Sequence, residues 1–404
     1  MGVKRARKLL IQAGYVLVSP VAFVLLMLAL AIRPFIKVQF FLIPFRFGTS
    51  LAYAVVDIKE IRTQVGERPI RRLYLAAPEN KSANSEMLRW LAPQARWVLI
   101  PKALVVPVVA LSSRIPILKG LIRDSPSADQ LHAMHHDLSL NLPPDLARLS
   151  DELGVRTKIF GSKPRVALLV RDSLAIREEL GASHSRKNEF RNSTVDFYRQ
   201  AIETTVRRGY SVVRVGHRAT AMVNPPHQGF FDYSQSQLRS PEVDLALPML
   251  FNALVTTSSG LDSLYHLLGV PLIGINIPWI DASYRHCRLI LPKHLFLESS
   301  PDSEIPLIEL VSPDCDWVGM PTVRSEKVQF REASPDEIDE ALQIALDVIE
   351  DPASARSLHR VCEPLWREFW ELRRRSGVNM HKFQYETEPT ILIPPSVQRR
   401  FLSI

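Results

Sequence analysis

Cysteine is scarce in this chain: Cys287, Cys315 and Cys362 are the only three in 404 residues. Their odd number and wide spacing exclude a disulfide framework and a four-ligand zinc site, and fit a reducing compartment for the body of the protein. His132, His135 and His136 fall on one helical face, but no acidic neighbour completes a ligand set, so no metal is expected. Acidic residues are in deficit, 42 against 50 Lys and Arg, for a formal charge of +8. That charge is spread in short clusters with no zinc-finger or RNA-recognition signature beside it. It argues against a nucleic-acid partner and for a membrane surface or an anionic substrate.

Apolar residues, by contrast, make up 46% of the chain, which rules out general disorder. A chain of 404 residues exceeds what one core usually supports, so two domains with terminal extensions are expected. Leu9 to Ile32 is a long apolar run behind Lys4, Arg5, Arg7 and Lys8, long enough to cross about 30 Å of hydrocarbon as a helix. Ala29-Leu30-Ala31 has the small-x-small form of a cleavage site, but the run exceeds a signal-peptide core of about 7 to 15 residues, so a retained anchor is the reading. Arg33, Lys37 and Arg46 balance the basic flank, and Pro20 is placed to bend the run. A spanning helix and a hairpin that returns to one face both stay open, with the body expected in the cytoplasm at an inner membrane.

Beyond the run, short apolar stretches at Val38 to Ile43, Arg72 to Ala76 and Trp97 to Ile100 read as strands between helices at Leu51 to Ile58 and Ser85 to Leu91. A second alternating series has strands at Val166 to Val170, Ser211 to Val215, Ala253 to Thr257 and Leu272 to Ile277. β-Branched runs bounded by Gly and Pro mark strands buried on both faces, as in doubly wound parallel sheets. The expected fold is therefore α/β, with two Rossmann-like domains: a membrane anchor over 1–34, an acceptor domain over 35–160, a nucleotide-sugar domain over 161–300 and a helical tail over 301–404. In the tail, Ser334, Pro335 and Glu337 form a capping box, and Ile338, Leu342, Ala345 and Ile349 share one face. Trp366, Phe369 and Trp370 read as a core-facing stripe, with a membrane contact as the other reading.

The densest chemistry lies at strand ends in the second series. Thr256-Thr257-Ser258-Ser259-Gly260 joins a strand to a helix that stops at Gly269 before Pro271. Such a turn suits a diphosphate, because Gly admits close backbone approach and the amides and helix dipole favour negative charge; plain capping by Ser is the alternative. Arg171 follows one strand, and Arg214 and His217 lie at the end of another, so three strand ends can share one crevice. His184 to Asn192 is dense in donors: Arg191 and His184 are candidates for proton transfer or phosphate contact, whereas Asn192 can also serve as a helix cap. Asp232 and Ser234 suit a ribose or sugar hydroxyl, or a turn.

Arg171-Asp172, His184 through Asn192, Tyr210 to Gly216, Asp232-Tyr233-Ser234, Ser258 to Leu261 and Gly269-Val270-Pro271 occur in that order. The series resembles a family of bacterial glycosyltransferases associated with surface-polysaccharide gene clusters, mainly over Arg165 to Asn276. The turn also resembles the donor-site turn of heptosyltransferases and other GT-B enzymes, although Ser258 stands where that wider family often has Asp. The resemblance implies two facing Rossmann-like halves, no obligatory metal or cofactor, a nucleotide-sugar donor and a glycan or lipid-linked acceptor. A sugar-nucleotide epimerase and a non-catalytic membrane-bound nucleotide- or glycan-binding protein are the alternative functions.

Overall fold

The computed structural model describes residues 20–32, 35–43, 51, 53–58, 71–78, 84–122, 144–156, 163–172, 174, 189–216, 219–222, 228–257, 259–278, 287–306, 322–323, 326–375 and 391–402. The chain divides into two compact units, Met1–Leu138 and Ser139–Ile404.

In the first unit, helix α1 (residues 20–32), β1 (Ile36–Ile43), α2 (residues 53–58), β2 (Arg71–Pro78), α3 (Ser85–Gln94), β3 (Trp97–Leu99) and α4 (Lys102–Arg114) follow in order. The strands form a parallel sheet in the order β1-β2-β3. α3 starts where Asn84 accepts the Met87 amide at 2.9 Å, and the buried Asp57 carboxylate accepts the Trp97 indole N–H at 2.7 Å. The sequence separates an anchor over 1–34 from the domain behind it, but α1 is built into that domain: Ala22, Leu26 and Ala29 are buried against Val38, Phe40, Val105 and Val108. Leu9 to Ser19, the earlier part of the expected span, lie outside the described residues, as do His132, His135 and His136. Among the described residues no helix is long and apolar enough to cross a membrane.

The second unit begins earlier than residue 161, because α5 (Pro144–Arg156) belongs to it: Leu149 and Leu153 pack on its core. Its main sheet comprises β4 (Arg165–Leu169), β5 (Ser211–Arg214), β6 (Phe230–Asp232), β7 (Ala253–Thr256), β8 (Leu272–Ile277) and β9 (Cys287–Pro292). The spatial order is β6-β5-β4-β7-β8-β9, and every pairing is parallel. In chain order that is 3-2-1-4-5-6, the doubly wound arrangement in which the direction of winding reverses between the first and fourth strands. α6 (Arg199–Arg207) leads into β5, α7 (Pro241–Ala246) precedes β7, and α8 (Asp262–Leu267) joins β7 to β8. β4, β7 and β8 are buried almost throughout, as their β-branched runs require when helices cover both faces.

The expected helical tail from residue 301 is a correction, since it becomes helical only at Pro335. Before it, β10 (His294–Leu297), β11 (Ser300–Glu304), β12 (Thr322–Val323) and β13 (Glu326–Arg331) form an antiparallel sheet in the order β11-β10-β13-β12. β11 is polar and exposed along its length, so no alternating apolar pattern marked it. α9 (Pro335–Glu350) then carries the full capping box and buries Ile338, Leu342 and Ala345. α10 (Ala355–Arg375) buries Trp366, whose indole donates to the Ile391 carbonyl at 2.6 Å, and α11 (Pro395–Leu402) closes the chain. The Phe369 and Trp370 side chains lie outside the described residues.

Candidate functional site

β4 and β7 are neighbours, but β4 continues toward β5 on one side and β7 toward β8 on the other. In such sheets ligands usually lie at the carboxyl ends of the strands where the winding reverses. Polar groups converge there. The Arg171 amide donates to Thr257 Oγ1 at 2.8 Å, which ties the exit of β4 to the exit of β7. The Ser193 amide donates to the Arg171 carbonyl at 2.8 Å, drawing in the segment that precedes α6. That segment is held from the other side: the Glu332 carboxylate accepts the Thr194 amide at 2.8 Å and the Thr194 hydroxyl at 2.8 Å. Lys293, which directly follows β9, donates through Nζ to the Asn192 carbonyl.

Ser193, Thr194 and Lys293 line a cavity of about 680 Å³, whereas Arg171 and Thr257 lie outside its lining. Asp172, Phe190, Asn192, Lys293, Phe330 and Glu332 contribute to its lining, and Arg214 and Thr220 close the β5 side. Asn276 sits in β8 at φ 55°, in the left-handed region that Asn tolerates better than most residues, at a register shift of the β8–β9 pair. Its buried amide donates to the Tyr198 hydroxyl at 3.2 Å and accepts the Ala333 amide at 2.7 Å.

Burial shifts ionisable groups here, Lys293 and Asp262 among them. Lys293 is only 3% exposed, and burial lowers its pKa, with the Glu332 charge opposing and the Arg171 charge adding to the effect. The Asp262 carboxyl is pushed up to about 6 by its removal from water, against the pull of the Ser259 amide and the Arg191 charge. Asp262 Oδ2 accepts that amide at 3.1 Å, so the carboxylate occupies one backbone donor of the turn expected to meet a diphosphate.

Arg171, Arg191 and Asn192 gather at the switch point, and Ser259 and Gly260 lie on the turn after β7. Arg214 is completely buried, and its guanidinium lies 3.2 Å from Asp232 Oδ2 and 3.7 Å from Asp172 Oδ2 and donates to the Thr220 carbonyl. The Ser234 hydroxyl in turn donates to Asp232 at 2.5 Å. Arg214, Asp232 and Ser234 thus form one buried charge network beside the cavity, with Arg214 neutralised by two carboxylates. His184, His217 and Ser258 lie outside the described residues. Asp172, Asp262, Lys293 and Glu332 were not singled out from the sequence. Asp262 alone had a local signal, as an acidic residue in the first turn of a helix behind Ser-Ser-Gly. Among the described residues no cluster of His, Cys, Asp and Glu can hold a metal ion.

The chain matches no protein-family profile and no curated protein, so the resemblance to the surface-polysaccharide glycosyltransferases has no match behind it. Among solved structures it is similar to the ADP-heptose LPS heptosyltransferase II of E. coli at 12% identity and a TM-score of 0.36, over 58% of this chain and 84% of that one. It is also similar to a glycosyl transferase family 9 structure from Veillonella parvula at 12% identity and a TM-score of 0.36, over 59% of this chain and 79% of that one.

Proposed function

We propose that the protein transfers a sugar from a nucleotide-sugar donor, bound at the carboxyl ends of β4 and β7, to a glycan or lipid-linked acceptor. The observation that carries this reading is Lys293 in the wall of a cavity of about 680 Å³ beside a 3-2-1-4-5-6 sheet, with Arg171 near enough to act on Lys293 and Arg191 near enough to act on Asp262 behind the β7 turn. A cavity of that size suits a nucleotide sugar. In the reaction, the bond between the anomeric carbon and the diphosphate oxygen breaks as the acceptor hydroxyl oxygen bonds to that carbon and gives up its proton. Negative charge collects on the departing diphosphate, and Arg171, Arg191 and Lys293 are the cations assigned to meet it. Arg214 is assigned a supporting role, because Asp172 and Asp232 already balance its charge.

The test is a panel of labelled nucleotide sugars incubated with the full chain, with and without a lipid-linked glycan extract, with products separated by chromatography. Release of the nucleoside diphosphate and label transfer that both require the extract support the proposal. Conversion of a donor to its epimer without the extract would overturn it in favour of an epimerase. Donor binding without turnover would make the protein a binding module.

A further inference from the structure

The two faces of α1 differ in surroundings but not in chemistry. Ala22, Leu26 and Ala29, spaced along one stripe, lie in the core of the first unit with Phe40, Val105 and Val108. On the opposite stripe Val21, Phe23, Val24, Met27 and Leu28 are 49–55% exposed, and Phe35 just beyond the helix is 80% exposed. The sequence of this helix, PVAFVLLMLALAI, contains no polar side chain at all. An ordinary surface helix turns charged residues outward, and contiguous apolar patches beyond a few hundred Å² are rare on soluble monomers.

We propose that this open face is a lipid-docking surface, on which α1 lies in the plane of an anionic leaflet with Phe23, Val24, Met27 and Leu28 among the acyl chains. Charge and continuity with the preceding sequence identify the occupant. The apolar run extends upstream to Leu9, behind the basic cluster Lys4, Arg5, Arg7 and Lys8, in a chain of net charge +8. An apolar helix preceded in the sequence by clustered Lys and Arg is the combination that binds the interface of anionic membranes. A protein interface would instead bring polar groups to its rim. The burial of Ala22, Leu26 and Ala29 fixes α1 to a folded α/β unit with charged side chains such as Lys102 and Arg89 elsewhere on it. That unit cannot enter the hydrocarbon, so insertion is limited to the outer 5–10 Å or so of the leaflet.

The inference stands apart from the glycosyl-transfer reading and is tested without it. The full chain is floated on a density gradient with vesicles of phosphatidylcholine alone or mixed with phosphatidylglycerol. The wild type is expected to float with the anionic vesicles, and the pair Phe23→Glu with Leu28→Glu is expected to lose at least tenfold in vesicle partitioning with an unchanged melting curve. Should the charged pair disturb folding, Phe23→Ser with Leu28→Ser reads the same face more gently and is expected to reduce partitioning severalfold. Failure of the wild type to float, or flotation of the serine pair at the wild-type level, overturns the proposal. A lipid-free dimer that the charged pair disperses, in a protein that vesicles do not capture, would make a second copy of the chain the occupant.

Discussion

The carboxylate of Asp262 accepts the backbone N–H of Ser259 at 3.1 Å, closing the turn between β7 and α8 from within. The anion expected at this turn thus has an internal counterpart, a carboxyl group held at a pKa of about 6 by its removal from water. In the unfolded chain the same group titrates near 3.9, so between about pH 4 and 6 the folded state binds more protons and its stability falls as pH rises. Asp262→Asn is expected to remove that dependence. Relative to the wild type it should gain stability on the order of 2 kcal/mol between pH 4 and 7, its partial exposure allowed for. Melting temperatures of the two proteins across that range check it, and parallel curves would contradict it.

Arg171 and Arg214 separate under substitution. Removing Arg214 leaves Asp172 and Asp232 without their shared cation in a buried site, so Arg214→Met should destabilise the fold by about 3–5 kcal/mol. Arg171→Met should keep the melting temperature within a few degrees while weakening donor binding at least tenfold. Thermal melts and calorimetry with the donor identified from the panel distinguish the two. An Arg214→Met protein as stable as the wild type would remove the network from the structural account.

Lys293 reaches the cavity wall from the end of β9 with its amine nearly excluded from water. Its lowered pKa means that it loses its charge at a pH below the usual lysine range. Donor affinity should accordingly fall with rising pH earlier than an exposed lysine would allow, and Lys293→Met should lower affinity at least tenfold at neutral pH. Calorimetry across alkaline pH checks this; identical pH profiles for the wild type and the variant would take Lys293 out of the site.

Glu332 clamps Thr194 through both the backbone and the hydroxyl. Glu332→Ala should cost about 1–3 kcal/mol for the hydrogen bonds left unmade and should raise KM for the donor more than it lowers kcat, because the cavity wall loosens while the cations stay. Steady-state kinetics beside a melting curve provides the measurement. A selective loss of kcat would point to a role in the chemistry itself.

Ser334→Ala offers a calibration at a helix cap that does not line the cavity. Its side chain accepts the Glu337 amide while Glu337 returns to the Ser334 amide, so the substitution should cost about 1 kcal/mol and leave donor binding untouched. Urea unfolding measures it, and a loss of donor affinity would be the contrary result.

Local pattern carried the reading of much of this chain. The core strands at residues 166–170, 211–215, 253–257 and 272–277 match β4, β5, β7 and β8 to within a residue, because a strand buried on both faces is apolar at most positions. The capping box and the stop of α8 at Gly269, φ 80°, were equally legible, since each depends on residues within one turn of one another. Three-dimensional packing alone decided the rest. Arg214 looks in sequence like any arginine at a strand end, and its role depends on Asp172, beyond the end of β4, and Asp232 at the end of β6. Lys293 and Glu332 enter the site from beyond residue 287, across an antiparallel sheet whose polar, exposed edge has no periodic signature. The apolar run before residue 33 told of a greasy helix but not that Ala22, Leu26 and Ala29 would be taken into the first unit's core. Burial of one stripe and exposure of the other comes from the neighbours that the fold supplies, and a uniformly apolar stretch holds no record of them.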